Sequence, residues 1–293
     1  MENETKNWYS KWYKIFLILP ILLVLISLFY LYSVYSRTGD FLQKDASLSG
    51  GTTITIRGDV NLKALEDALK AEFPDMYIRS ISDISTGRNI AFIVGSSASP
   101  EELQPALEKF LGYELNAENS STEFSGSALG NDFYKQLIKA IIISFILMSI
   151  VIFFLFRSFV PCSAVIFAAF SDIVMTLAFV NFLEIKISAA GIAAFLMLIG
   201  YSVDTDILLT SRVLKKREGS VNQRIYGAFK TGIFMTLAGL AAVLPAFFIV
   251  TGLPDSFRQI FLIVSIGLIA DIIATWFGNA SIIKWYAVHK KLE

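Results

Sequence analysis

The sequence predicts an α-helical polytopic membrane protein, with six transmembrane helices and one extracytoplasmic α+β domain between helices 1 and 2. Composition, span length and charge placement predict it. Of 293 residues, 55% are hydrophobic and 17% charged, and mean hydropathy is +0.60. A soluble domain carries about 45–50% apolar and about 25% charged residues. Six nearly uncharged stretches are long enough to cross a hydrocarbon core of about 30 Å, which takes about 20 helical residues. Charge balances at 25 basic and 25 acidic residues, so nothing calls for nucleic acid as a partner. The balance is local, however: Ser36 to Lys139 holds 10 basic and 15 acidic residues.

Residues 1–14 form a basic N-terminal segment and 15–35 the first span. Its run IFLILPILLVLISLFYLY exceeds the 7–15 residues of a signal h-region and no A-x-A-like site follows, so it reads as a retained anchor. Five further spans, at about 140–156, 159–183, 187–211, 231–253 and 259–283, make a bundle over 133–285, followed by a tail at 286–293. Placing the N-terminus in the cytoplasm puts thirteen basic residues inside and only Lys186 and Arg258 in the opposite short loops. Both termini are therefore expected in the cytoplasm of a cell membrane protein, with the lipid bilayer as its surroundings.

Residues 36–132 read as the external domain. Gly51–Arg57 alternates and is rich in Thr and Ile, as in a strand. Asn61 opens a helix with Leu62, Leu65, Leu69 and Phe73 on one stripe. Met76–Ile84 and Asn89–Val94 read as strands around a Thr86-Gly87 turn. Ser99-Pro100-Glu101-Glu102 is a capping box opening a helix with Leu103, Leu107 and Phe110 inward. An extended piece near Tyr113–Phe124 completes β-α-β-β-α-β, the ferredoxin-like split βαβ arrangement. The domain carries no nucleophile–base pair, metal spacing or phosphate loop, and reads as a binding or contact module.

The informative residues are four intramembrane acids: Asp172, Asp204, Asp206 and Asp271. A charged carboxylate at a span centre costs about 2.5–3.5 kcal/mol even on the lenient insertion scale. No Lys or Arg lies at matching depth, and burial without a cation favours the neutral form. Such a group exchanges protons if water reaches it. Rows at i±4 place small or hydroxyl residues beside each acid: Ala164, Ala168 and Thr176 with Asp172; Ser202 and Thr210 with Asp206; Gly267, Thr275 and Asn279 with Asp271. The bland alternative is hydrogen-bonded structural glue, to which Asp271 comes nearest. An intramembrane aspartyl protease is a poor fit, because neither GYSVDTD nor LIADIIATW frames its Asp with glycines. Cys162, the one cysteine, has no histidine within reach, since the one histidine, His289, lies in the tail. No catalytic residue, metal site or cofactor is expected.

One span, an external α+β domain and five spans resemble one half of the resistance–nodulation–division superfamily. The details are more similar to the SecD/SecF family of protein-export membrane proteins, in its archaeal form. FSDIVMTLAFVNFLEI resembles the family's His-Asp-Val stretch, with Ser171 for His and Asp172 kept. Gly200, Tyr201, Ser202 and Arg212 match the family's Gly-Tyr-Ser-x-Asn-Asp-Thr…Asp-Arg, and Gly50, Gly51 and Thr52 match its Asp-Phe-x-Gly-Gly-Thr without the Asp-Phe. The family's coupling acid falls at Thr205, between Asp204 and Asp206; one position turns a side chain by about 100°. The resemblance implies a SecD-like six-span partner subunit, a neighbouring protein-conducting Sec channel and unfolded exported polypeptide as cargo. It implies an accessory export subunit with no covalent chemistry, coupled to the proton gradient. The rivals are a proton-driven exporter of small molecules or lipids, and a passive scaffold.

Overall fold

The computed structural model describes residues 8–82, 86, 88–215, 219–249 and 255–291. Helix α1 (Trp8–Phe16) leads into α2 (Ile18–Thr38), which Gly39 closes in the left-handed conformation, its N–H bonded to Tyr35 O at 2.8 Å. A short helix α3 (Ala46–Ser49), capped by Asp45, precedes β1 (Gly51–Arg57). Then come α4 (Leu62–Leu69), β2 (Tyr77–Ser82), β3 (Asn89–Ser96), α5 (Pro100–Leu111) and β4 (Ser120–Ser125). The sheet is antiparallel throughout, in the order β2-β3-β1-β4, with Ile54 opposite both Val94 and Thr122.

The expected local signals fold this region. Asn61 accepts from Ala64 N–H at 3.1 Å, and Glu102 reaches back to Ser99 N–H at 3.1 Å, so both helix starts satisfy donors that a first turn leaves open. Leu65, Leu69, Leu103 and Leu107 bury one helical stripe against Ile54, Ile56, Phe92 and Val94. The period changes from 3.6 to 2 between layers that share one core. Gly50 and Gly51 turn the chain from α3 into β1 with φ of 88° and 129°; a Cβ on Gly51 would strike Ser96 O. The Thr52 hydroxyl donates to Ala98 O at 2.7 Å. The Gly-Gly-Thr motif therefore starts a strand. Gly87, the end of the strand expected to reach Ile84, and residues 250–253 of the fifth expected span lie outside the described residues.

Five long helices follow β4: α6 (Ser127–Phe156), α7 (Phe159–Phe182), α8 (Ala189–Lys215), α9 (Val221–Ile249) and α10 (Asp255–Ile273). The last continues through a π-helical turn (Ala274–Asn279) into α11 (Ala280–His289). With α2, they supply six helices long and apolar enough to cross a membrane. Several outrun their apolar runs: α6 starts well before residue 140, because Lys135 and Lys139 are helical but polar, and α9 continues through Pro245. Helices α7, α8 and α10–α11 form the interior, with more than half of their apolar windows buried, against 6% for α6. Gly267 lets α10 approach α8 closely, since a Cβ there would enter the Leu198 side chain.

Candidate functional site

The hairpin of α7 and α8 runs away from the α+β domain along α8 and toward it along α7. Asp172 in the middle of α7, Asp206 in the second half of α8 and Asp271 near the end of α10, just before the π-helical turn, meet, and at most 1% of any of them is exposed. Among the described residues none has a cation partner. The Ser202 hydroxyl donates to Asp172 Oδ2. Thr205 Oγ1 lies 3.2 and 3.1 Å from the two oxygens of Asp271 and 2.8 Å from Ser202 O. Thr275 Oγ1 stands between two acids, 2.9 Å from Asp206 Oδ1 and 3.0 Å from Asp271 Oδ1. Asn279 Nδ2 donates to Asp206 Oδ1 at 2.7 Å.

A hydroxyl carries one proton. Thr275 donates to one of its two carboxylates at a time, and its second contact is a hydrogen bond only when that carboxyl carries a proton itself. The same holds at Thr205, whose proton is claimed by both Ser202 O and Asp271. The acids also lie close enough to repel one another when charged. Three full negative charges in one buried layer, with no cation partner among the described residues, would be costly.

The π-helical turn shapes this arrangement. It carries Thr275 and ends at Asn279, which both point at Asp206 from the neighbouring helix. Single π turns recur at functional sites because they re-aim side chains without ending a helix. Nothing in ATWFGN announces it. Asp271, expected to be the most structural of the four, stands where the hydroxyls of Thr205 and Thr275 converge.

Asp204 is not brought to the cluster. It is exposed on the outer face of α8 beside Gly200 and Tyr201, the latter 51% exposed, about 200° around the helix from Asp206. Thr205, at the position of the family's acid, is buried among the three acids as a hydroxyl instead. Thr176 and Thr210 are fully buried one turn from Asp172 and Asp206. Arg212 bonds Gly227 O and, at 3.0 Å, Thr231 Oγ1, tying the end of α8 to α9.

A second polar assembly joins the domain to the bundle, and the sequence gives little sign of it. Residues 39–49 form a strap over the α7–α8 loop. Lys44 pairs with Ile187 in an isolated parallel bridge, and Asn181 donates to Phe41 O at 2.8 Å while accepting from Gln43 N–H at 3.4 Å. Gln259 on α10 accepts from Ser188 N–H at 2.9 Å and donates to Lys186 O at 3.0 Å. Asp40 binds Lys44 at 2.9 Å and accepts from Tyr134 of α6 at 2.7 Å. Burial pushes the Asp40 carboxyl up, but Lys44 and Tyr134 outweigh it and hold it below its ordinary value. Lys186 stacks over the Tyr77 ring of β2 at 3.7 Å, and burial lowers its pKa. The loop between the two acid-bearing helices is thus bonded to the base of the domain.

Comparisons with known proteins agree with this architecture. The family described as "Protein export membrane protein SecD/SecF, C-terminal" matches residues 106–289. The protein-export membrane protein SecF of Methanolacinia petrolearia is 36% identical over 269 residues, covering 92% of each chain. That of Methanocaldococcus jannaschii is 34% identical over 281 residues, covering 94% of this chain and 95% of its own. The crystal structure of SecDF, a translocon-associated membrane protein from Thermus thermophilus, shares the fold with a TM-score of 0.78 at 20% identity. It covers 96% of this chain, which spans only 39% of that longer one. With six candidate spans, an inserted α+β domain and relatives matched over nine-tenths of its length, the chain belongs to the SecD/SecF family of protein-export membrane proteins.

Proposed function

We propose that the chain is an accessory subunit of the Sec protein-export machinery in the cell membrane, and that protonation of Asp172, Asp206 and Asp271 drives its work. One observation carries the reading: three helices each bring a carboxylate to one buried layer, where single hydroxyls stand between competing acceptors. The loop of two of those helices is bonded to the domain, so a change of helix packing at the acids reaches the domain directly. One charge crossing 100 mV releases about 2.3 kcal/mol, enough to shift a two-state element about 50-fold. No covalent chemistry is involved.

The excess of Lys and Arg in the α6–α7, α8–α9 and terminal segments supports cytoplasmic termini and an extracytoplasmic domain over about 36–132. The strand order β2-β3-β1-β4, with one helix in each crossover, supports a ferredoxin-like reading of that domain. There it would hold or pull unfolded polypeptide emerging from the Sec channel. A SecD-like six-span subunit supplies the other half of the assembly. Asp204 and Tyr201 on α8 mark the face it covers, because lipid at mid-span would leave that carboxylate a cost of about 2.5–3.5 kcal/mol.

The test is export into membrane vesicles carrying the assembled complex, with and without an imposed proton gradient. Asp206→Asn and Asp172→Asn should each remove the gradient-dependent component while the complex still assembles. Undiminished stimulation in both would sink the coupling.

A further inference from the structure

Where α1 passes into α2, the chain meets α11 across a cleft of about 230 Å³, lined by Tyr13, Lys14, Leu17, Ser281, Ile282 and Trp285. Its depth is that of a membrane interface. The last span, Phe257–His289, has 33 residues, about 50 Å of helix, which outreaches a hydrocarbon core of about 30 Å. Tyr and Trp side chains favour that level, with one end in lipid and the other in water. Two polar groups of the cleft stand out. Ser281 is 1% exposed, yet among the described residues its Oγ has no hydrogen-bond partner. Elsewhere in the spans Ser149, Ser171 and Ser265 each donate to the carbonyl four residues back, at 2.8, 2.6 and 2.7 Å. Lys14 is exposed at the rim. No Asp or Glu occurs from residue 5 to 39 or from 272 to 292, so neither wall offers it a carboxylate. Lys284 of α11 stands 4.9 Å from the centroid of the Tyr13 ring and fixes that side of the cleft.

We propose that this cleft binds the phosphate headgroup of an anionic membrane lipid. Lys14 supplies the positive charge, and the Ser281 hydroxyl donates to a phosphate oxygen, a bond strengthened by the charge on its acceptor. Basic pockets between spans take anionic headgroups on these terms. The acyl chains have a track. Leu17 keeps a right-handed helical backbone between α1 and α2, so Lys14, Ile18, Ile21 and Leu25 follow one helical face, and all four are exposed. A zwitterionic headgroup brings its own cation against Lys14 and fits less well. An occupied cleft ties the first span to the end of the last. The site lies apart from the acid layer and does not depend on the proton-coupled reading.

The test uses the full chain, purified in detergent and offered phosphatidylglycerol, phosphatidylcholine or inorganic phosphate. Native mass spectrometry counts retained lipid, and the melting temperature is followed in parallel. Phosphatidylglycerol should stay bound at one per chain and raise the melting temperature, whereas phosphatidylcholine and inorganic phosphate should do neither. Lys14→Met keeps the stem and removes the charge, and should weaken phosphatidylglycerol binding about fivefold. Ser281→Ala should weaken it about tenfold, the cost of one hydrogen bond to a charged group. Lys14→Arg should restore binding, and Arg37→Met, at the far end of α2, should leave it unchanged. Without lipid, Lys14→Met and Ser281→Ala should melt as the wild type does, since Lys14 is exposed and Ser281 Oγ gives up no bond. Equal retention of phosphatidylcholine, an equal loss in Arg37→Met, or wild-type binding in both Lys14→Met and Ser281→Ala would overturn the site. Stabilisation by inorganic phosphate to the same extent would overturn the lipid as its occupant.

Discussion

The acid layer, fully buried, and the strap joint, partly buried, are two polar assemblies built on opposite principles. At the joint every group named finds its complement: Asn181 answers one carbonyl and one amide, Gln259 does the same for Lys186 and Ser188, and Asp40 has both Lys44 and Tyr134. In the acid layer carboxylates face carboxylates through hydroxyls with too few protons, and Asp172, Asp206 and Asn279 each keep an unpaired atom. A fully satisfied network has one arrangement and stays in it, whereas a partly satisfied one has several of similar energy. On the proposed function, the joint is the part that transmits and the layer the part that changes.

Breaking the joint should show this most strongly. Asn181→Ala removes the part-buried hydrogen bonds to Phe41 O and from Gln43 N–H, at about 0.5–1.5 kcal/mol for each bond lost. A clear drop in melting temperature is expected, together with loss of gradient-driven export although all three acids remain. Asp206→Asn should do the reverse: export stimulation is lost and the melting temperature holds, because Asn279 can still donate to the remaining oxygen. Equal melting losses in the two variants would erase the contrast.

A smaller effect sharpens it through pH. The folded Asp40 pKa is depressed, so its contribution is complete above the unfolded value of about 3.9 and is lost as pH falls through the folded one. The wild-type melting temperature should fall on acidification below about pH 4, and Asp40→Asn should be flatter in that window. Identical slopes would remove Asp40 from the joint. The smallest effect is at Lys186, where Lys186→Met keeps the stem over Tyr77 and removes a cation–π contact of about 0.5–1 kcal/mol. A slight melting shift with export intact is expected.

What the sequence disclosed follows from which forces are local. Asn61, the Ser99 box and the alternation of Gly51–Arg57 act within a few residues, and each sits where the pattern puts it. The acids were visible because charge in an apolar span is costly wherever it points. Which of them converge was not: Asp204 and Asp206 are two residues apart, and only the packing of α8 against α7 and α10 turns one inward and the other outward. The π-helical turn and the Asn181–strap bonds depend on contacts 60 to 140 residues apart in the chain. No window of sequence holds both partners.

Proton sharing among the three acids is open to direct measurement. Infrared difference spectra of the carboxylic C=O stretch, recorded on the reconstituted complex across a pH series, would compare the wild type with Asp172→Asn, Asp206→Asn and Asp271→Asn. If the three acids hold their protons as one group, each single substitution displaces the whole band and its titration. If each substitution deletes a separate component and leaves the other two unmoved, the acids titrate independently and the coupled layer is contradicted.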